Sequence, residues 1–215
     1  NWFDSKASGR AKIFDGAGTL ISHAPNSQTS DSHNQTYNIN FKHDFEKKGH
    51  NIEFEATYSK NESPNFLEND FLLGTQQDYT NDINNDRNNT LINLDYTNPI
   101  SKNGKLELGL EYRVNKTDNT NITTQVGFNN SSFTYDRDIF SGYVNYGHKF
   151  GKVTMQLGAR LENYEIEGIF NQVGEPTEKV TDKIFSIYPS AFFTFNPSDK
   201  NQFQLSYSRR VDRPG

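Results

Sequence analysis

The chain has 215 residues, a net charge of −5 and a pI of about 5.5, so it offers no basic face for nucleic acid phosphates. It contains no cysteine, which excludes a disulfide framework, a thiolate metal site and a thiol nucleophile. Mean hydropathy is −0.88 and no apolar run approaches the ~20 residues of a membrane helix, yet a spanning β-strand needs only about 9–11 alternating residues.

Residues 1–35 read as a polar excursion with a small hairpin, AKIFDGAGTLIS, turning at Gly16–Gly18. Residues 37–46 then alternate, with Tyr37, Ile39, Phe41, His43 and Phe45 on one face and Asn38, Asn40, Lys42, Asp44 and Glu46 on the other. After the turn KKGH the next strand sets Ile52, Phe54, Ala56 and Tyr58 against Glu53, Glu55, Thr57 and Ser59. This is the period-two signature of an amphipathic hairpin. It recurs at 90–98 with 105–114, at 138–150 with 153–163 across Gly151-Lys152, and at 184–195 with 202–211 across NPSDKN. In the last hairpin the first strand is ambiguous, because Tyr188 and Phe192 oppose Ile187 and Phe193 and Pro189 interrupts the run.

The connections alternate as well. Turns within hairpins are short, whereas 61–88, 115–136 and 165–182 read as long polar loops. With the short turns set at the bottom, Phe45, Tyr96, Phe150, Phe195 and Phe203 fall low on the apolar face. Tyr37, Tyr58, Tyr112 and Tyr207 fall high, with mostly aliphatic residues between. A soluble carbohydrate-binding β-sandwich also has alternating strands, but its core has no reason to sort rings by height. Two aromatic girdles around an aliphatic band, with tight turns at one end and long loops at the other, characterise an outer-membrane barrel. The expected fold is therefore all-β: an antiparallel up-and-down meander of about eight strands of a larger transmembrane barrel, with short periplasmic turns and long extracellular loops. Residues 1–35 lead into it as an extracellular segment, and 36–215 form four hairpins of a partial barrel cut at both ends.

The run YPSAFFTFNPSDKNQFQLSYSRRVDRPG, residues 188–215, resembles the outer-membrane β-barrel family related to TonB-dependent receptors. FDGAGTLIS, KKGHNIEFEATYS and LGARLENYEIEG resemble other parts of the same family. The resemblance implies a barrel of about 22 strands around a plug, located in the outer membrane of a Gram-negative bacterium. It implies TonB-energised uptake of a nutrient or metal chelate, and it brings as partners outer-membrane lipid, the remaining strands and plug, TonB and a surface lipoprotein. The sequence shows no plug, TonB box, leader or terminal aromatic strand, so an internal piece of such a barrel is expected. A structural or interaction subunit of an outer-membrane secretion or surface complex is the alternative.

No catalytic constellation, metal site or cofactor site is expected. His23, His33, His43, His50 and His148 form no set with a serine and an aspartate. Asp82, Asn84 and Asp86 match the first spacings of a calcium loop, but Arg87 occupies the glycine position and Asn93 the twelfth. This points to a solvated loop. Tyr79, Phe128, Phe133 and Tyr135 are placed in loops where they are able to stack on a ligand, whose identity the sequence leaves unknown. The candidate lipid-interface residues are Tyr58, Tyr112, Tyr207 and Arg209. Alternation puts Arg209 on the apolar face at headgroup height and Arg210 toward the lumen.

Overall fold

A computed structural model describes residues 2–211. They form a single antiparallel sheet of ten strands with no helix. In chain order these are β1 (Trp2–Phe14), β2 (Leu20–Asp44), β3 (Asn51–Glu62), β4 (Asn65–Asn69), β5 (Tyr79–Asn98), β6 (Gly104–Thr123), β7 (Ser131–Phe150), β8 (Val153–Gln172), β9 (Glu178–Ser198) and β10 (Asn201–Ser208). The path is β1-β2-β3-β5-β6-β7-β8-β9-β10. The short β4 continues upward from β3 and fills the gap between β2 and β5. Apart from β3 and β4, which follow one another end to end, each strand pairs with the next in the chain, as in a meander, and among the described residues β1 and β10 remain as free edges.

The count is ten rather than the eight expected, and the long loops are largely strand. Residues 79–88 belong to β5, 115–123 to β6, 131–136 to β7, 165–172 to β8 and 178–182 to β9. The true connections at that end are short, at 15–19, 70–78, 124–130 and 173–177. The asymmetry between the two ends is therefore one of strand overhang. Strands β5 to β8 each have 20 residues, or roughly 66 Å at about 3.3 Å per residue. With a tilt of about 35–45° this gives a height of roughly 50 Å, about twice a membrane's apolar band of ~25 Å. Likewise β2 runs unbroken through positions 35 and 36. Its upper half pairs with β1 (Trp2 opposite His33) and its lower half with β3 (Tyr37 opposite Tyr58).

At the opposite end the turns are tight. Phe150 pairs with Val153 around the two-residue loop Gly151-Lys152, with Gly151 at φ 57°. A positive φ at the first central position but not at Lys152 is the type II′ pattern, whose twist matches the strands it joins; a side chain at 151 would be strained.

Register fixes the two faces. Ile39, Ala56, Ile92, Tyr112 and Phe140 form one row across five strands, and Phe41, Phe54, Leu94, Leu110, Gly142, Leu161 and Ile187 form the row beneath it. All lie on the apolar face, together with Ile52, Leu106, Leu108, Met155, Leu157 and Leu205. The ambiguity in β9 is resolved: Tyr188 and Phe192 share the polar face with Arg160 and Gln156, while Pro189 and Phe193 face out beside Ala159 and Met155. The apolar face packs against nothing. Leu110 is 50% exposed and Phe140 52%, whereas Ser141, the next residue on the polar face, is 1% exposed. Among the described residues the buried side chains Ile139, Ser141 and Tyr164 all belong to the polar face, so that side is concave. This inverts the usual placement of apolar residues inside, and it is stable only if something apolar covers the convex side.

Candidate functional site

On the convex side the rings are graded by height. Tyr37 and Tyr58 stack at 6.4 Å near the top of the apolar band, in a row with Thr90 and Val114, and Tyr112 lies opposite Phe140 one row below. Tyr207 lies opposite Ala191. At the bottom Phe195 and Phe203 stack at 6.5 Å. Two rings, Phe41 and Phe54, pair at mid-height, where aliphatic residues were expected. The height of that band suits hydrocarbon, and continuous strand pairing satisfies the backbone groups that lipid cannot.

Above the tyrosines the same face becomes charged. Lys183 pairs with Glu165, and the Asn163 amide donates to the same carboxylate at 2.8 Å. The lysine, then the amide, hold the Glu165 carboxyl below the usual carboxylate range. Lys179 meets Glu167 at 2.8 Å and Lys116 meets Asp136 at 3.5 Å. Asp82, Asn84 and Asp86 alternate along β5 on this outer face, so the solvated-loop reading is corrected: they are strand residues. Asn84 donates to Asp82 at 3.3 Å.

The concave side carries the polar network. Arg160 on β8 reaches across β7 to Glu111 on β6 at 2.8 Å and also lies 3.4 Å from Glu162. Arg113 approaches the same Glu111 at 3.4 Å. Between the two carboxylates sits Ser141, opposite both Glu111 and Glu162, its hydroxyl buried without a partner. One turn of the pleat lower, Tyr143 on β7 lies over Gly109 on β6 and donates to Asp95 on β5 at 2.6 Å. The glycine is required here, since a Cβ at 109 would fall 2.0 Å from the Tyr143 ring. Lys42 meets Glu53 directly across β2 and β3 at 2.6 Å. The polar alternation thus forms a charged concave face. Among the described residues only Lys42–Glu53 of its ion pairs joins adjacent strands: Lys105–Glu107, Arg113–Glu111 and Arg160–Glu162 lie along one strand, Arg160–Glu111 skips a strand, and Glu53 stands opposite Asp95.

Beside this network a cleft opens along β7, β8 and β9 to the end of β10. Arg113, Arg137, Arg160, Arg209 and Arg210 border it, with Tyr188 and Phe192. Arg137 donates through Nε and Nη2 to the Asn115 carbonyl at 3.1 and 3.0 Å. The regular strand ends at Ser208, although the Arg209 amide still donates to the Pro189 carbonyl at 3.1 Å. Both terminal arginines border the concave cleft, whereas Tyr58, Tyr112 and Tyr207 stand on the convex face. Higher up, Tyr79, Phe133 and Tyr135 belong to strands, on the concave face by alternation. Only Phe128 of that set is in a turn. Polar alternation already puts Arg113, Arg160 and Arg210 on the concave side; their convergence with Arg137 and Arg209 on one cleft is not legible, because it depends on how β6, β7, β8 and the end of β10 lie together. The signal available was one arginine per strand on the polar alternation.

A sheet with a lipid-sized apolar band outside and a charged concavity inside is part of the wall of a transmembrane β-barrel. The sequence matches the outer membrane protein beta-barrel family over residues 43–215, and the chain belongs to that family. It is therefore a protein of the Gram-negative outer membrane. No curated protein matches it in sequence. Among solved structures it is similar to the siderophore receptor PiuA from Acinetobacter baumannii (TM-score 0.55, 13% identity), covering 96% of this chain and 38% of that one. It is similar also to the alcaligin outer membrane receptor FauA from Bordetella pertussis (TM-score 0.55, 13% identity), covering 96% of this chain and 35% of that one. The chain thus spans little more than a third of those receptors.

Proposed function

We propose that this chain is part of the wall of an outer-membrane uptake receptor whose lumen takes a bulky anionic metal chelate and whose transport is energised through TonB. The observation that carries the reading is the concave cleft, where five arginines, one each from β6, β7 and β8 and two from the end of β10, meet two aromatic side chains. Guanidinium groups bind carboxylates and catecholate-like oxygens bidentately, and rings cover the apolar body of a chelate. The fold shared with PiuA and FauA supports the same reading. In it a plug fills the lumen, residues 1–35 belong to the extracellular part, and Tyr58, Tyr112 and Tyr207 stand at the outer lipid interface.

The test uses full-length protein in its own outer membrane. Cells are given an anionic ferric tricarboxylate chelate and a neutral ferric trihydroxamate of similar size. Accumulation of the anionic chelate is expected, abolished by a protonophore and reduced about 10-fold or more by combining Arg113→Gln with Arg137→Gln, since each charged hydrogen bond is worth about 1.5–3 kcal/mol. If neither chelate accumulates, or accumulation survives the protonophore, the uptake reading fails and a structural subunit of a surface complex takes its place.

A further inference from the structure

The four periplasmic turns share a composition that uptake does not use. The turns 45–50, 99–103, 151–152 and 199–200, with Lys149 at the foot of β7, carry Lys47, Lys48, Lys102, Lys149, Lys152 and Lys200 against only Glu46 and Asp199, in a chain whose net charge is −5. All six lysines are exposed. The next charged residues up the strands, Asp44 and Lys105, stand on the concave face, where Lys105 is paired with Glu107 at 2.6 Å.

Directly above these lysines the lipid-facing side ends in rings with polar edges. His43 meets Phe45 edge-on at 4.7 Å, Phe45 stacks on His50 at 4.1 Å, and His50 Nε2 lies 2.9 Å from the Tyr96 hydroxyl. Farther round, the Tyr146 hydroxyl lies 3.0 Å from His148 Nδ1, and that imidazole is 4.2 Å from Phe150. Rings of this kind settle at headgroup depth, apolar body in hydrocarbon and polar edge toward water. They fix the height of the rim: the lysines begin where the rings end. A four-carbon stem lets each ammonium move along that interface.

We infer that the periplasmic rim is a docking surface for anionic phospholipid headgroups, with turn lysines taking the phosphates and the His–Tyr pairs taking the oxygens just beneath. The basic charge is spread over all four turns and is continuous with the lipid-covered face. A protein partner would call for charge gathered on one part of the rim. Lys47, Lys48, Lys102 and Lys200 are the main contacts. Lys152 donates to the Pro197 carbonyl at 2.5 Å, and Lys149 and Lys152 fall on the concave side of the alternation.

The full-length protein in detergent is titrated with phosphatidylglycerol, or with phosphatidylcholine of the same chains, and bound lipid is counted by native mass spectrometry. Wild type is expected to retain phosphatidylglycerol preferentially. The combination Lys47→Gln, Lys48→Gln, Lys102→Gln and Lys200→Gln is expected to weaken that retention about 10-fold or more. The combination Lys116→Gln, Lys179→Gln and Lys183→Gln, in the overhang, leaves it unchanged. Heat-modifiable mobility on gels shows that each variant is folded. Equal retention of both lipids by wild type overturns the inference, as does full retention by the folded turn variant. Loss of binding to purified peptidoglycan sacculi by that variant, with lipid retention intact, assigns the rim to the cell-wall polymer and also overturns it.

Discussion

The lower and upper halves of the sheet share strands, register and hydrogen bonding, yet they are written in different alphabets. Below, β6 alternates Leu106, Leu108, Leu110 and Tyr112 with Glu107, Gly109, Glu111 and Arg113. Above, the same strand continues as NKTDNTNIT, with no apolar face, and is still paired residue for residue with β5 and β7. In the lower half amphipathicity is imposed by two solvents, lipid and lumen. In the upper half both faces are wet, so hydropathy is unconstrained and the backbone ladder, once started below, propagates with side-chain bridges such as Asn115 to Asn89 at 2.5 Å. Strand identity in this protein is inherited from the neighbour; only orientation is encoded by hydropathy.

The sharpest break of the comparison uses one substitution at two heights on the same face of β6. Leu110→Arg places a guanidinium in the middle of the apolar band and is expected to cost about 2–4 kcal/mol. Thr120→Arg, in the overhang, is expected to cost about 0–0.5 kcal/mol. Urea unfolding of the full-length protein refolded into vesicles measures both, and equal costs would mean that the two halves share one solvent.

A smaller contrast separates the two faces of the lower half. Gly109→Ala on the concave side must displace Tyr143 from Asp95, with an expected loss of about 1–3 kcal/mol. Gly142→Ala on the convex side meets the flexible Leu110 side chain at 3.3 Å and the Gly109 carbonyl oxygen at an ordinary 3.7 Å. Its expected change in the same assay is under about 0.5 kcal/mol. If the two were equal, Tyr143 would not be held as described.

The finest contrast lies within the overhang, where Asp4 on β1 stands opposite Asp31 on β2. Sharing a hydrogen bond with Asp31, then burial and repulsion, raises the Asp4 carboxyl above its ordinary range. A raised acid favours the protonated, paired state. Its contribution is therefore complete below the ordinary carboxylate value and disappears as pH rises through the raised one. Amides of β1, corrected for intrinsic exchange, should be better protected from deuterium at pH 3.5 than at pH 6.5, and Asp31→Asn should remove the difference. Protection that is independent of pH in wild type would contradict the pairing.

These contrasts also explain what was legible in the sequence. The lower hairpins, their faces and their tight turns followed from period-two alternation because lipid and lumen enforce it. The upper strands did not, because Asn and Asp depress strand propensity and the segments carry no alternation of apolar with polar residues. Residues 79–88, 115–123 and 165–172 therefore read as loops until their neighbours were known. Arg209 shows a further limit: alternation assigns a face only while the strand lasts, and β10 ends one residue earlier. The convergence of Arg113, Arg137 and Arg160 with the end of β10 is a matter of which strands are adjacent, and spacing along one strand does not contain it.

Two side-chain ties on the concave surface each skip a strand: Tyr143 to Asp95 joins β7 to β5, and Arg160 to Glu111 joins β8 to β6. Geometrically they are chords drawn inside an arc. Ladder hydrogen bonds set the spacing of adjacent strands and leave the angle between them soft, whereas a chord over three strands fixes that angle. Because the two chords overlap on β6 and β7, they hold four consecutive strands to a common radius, as braces hold a vault. Cutting both would leave the ladder intact and remove the two ties that hold the angle between these four strands.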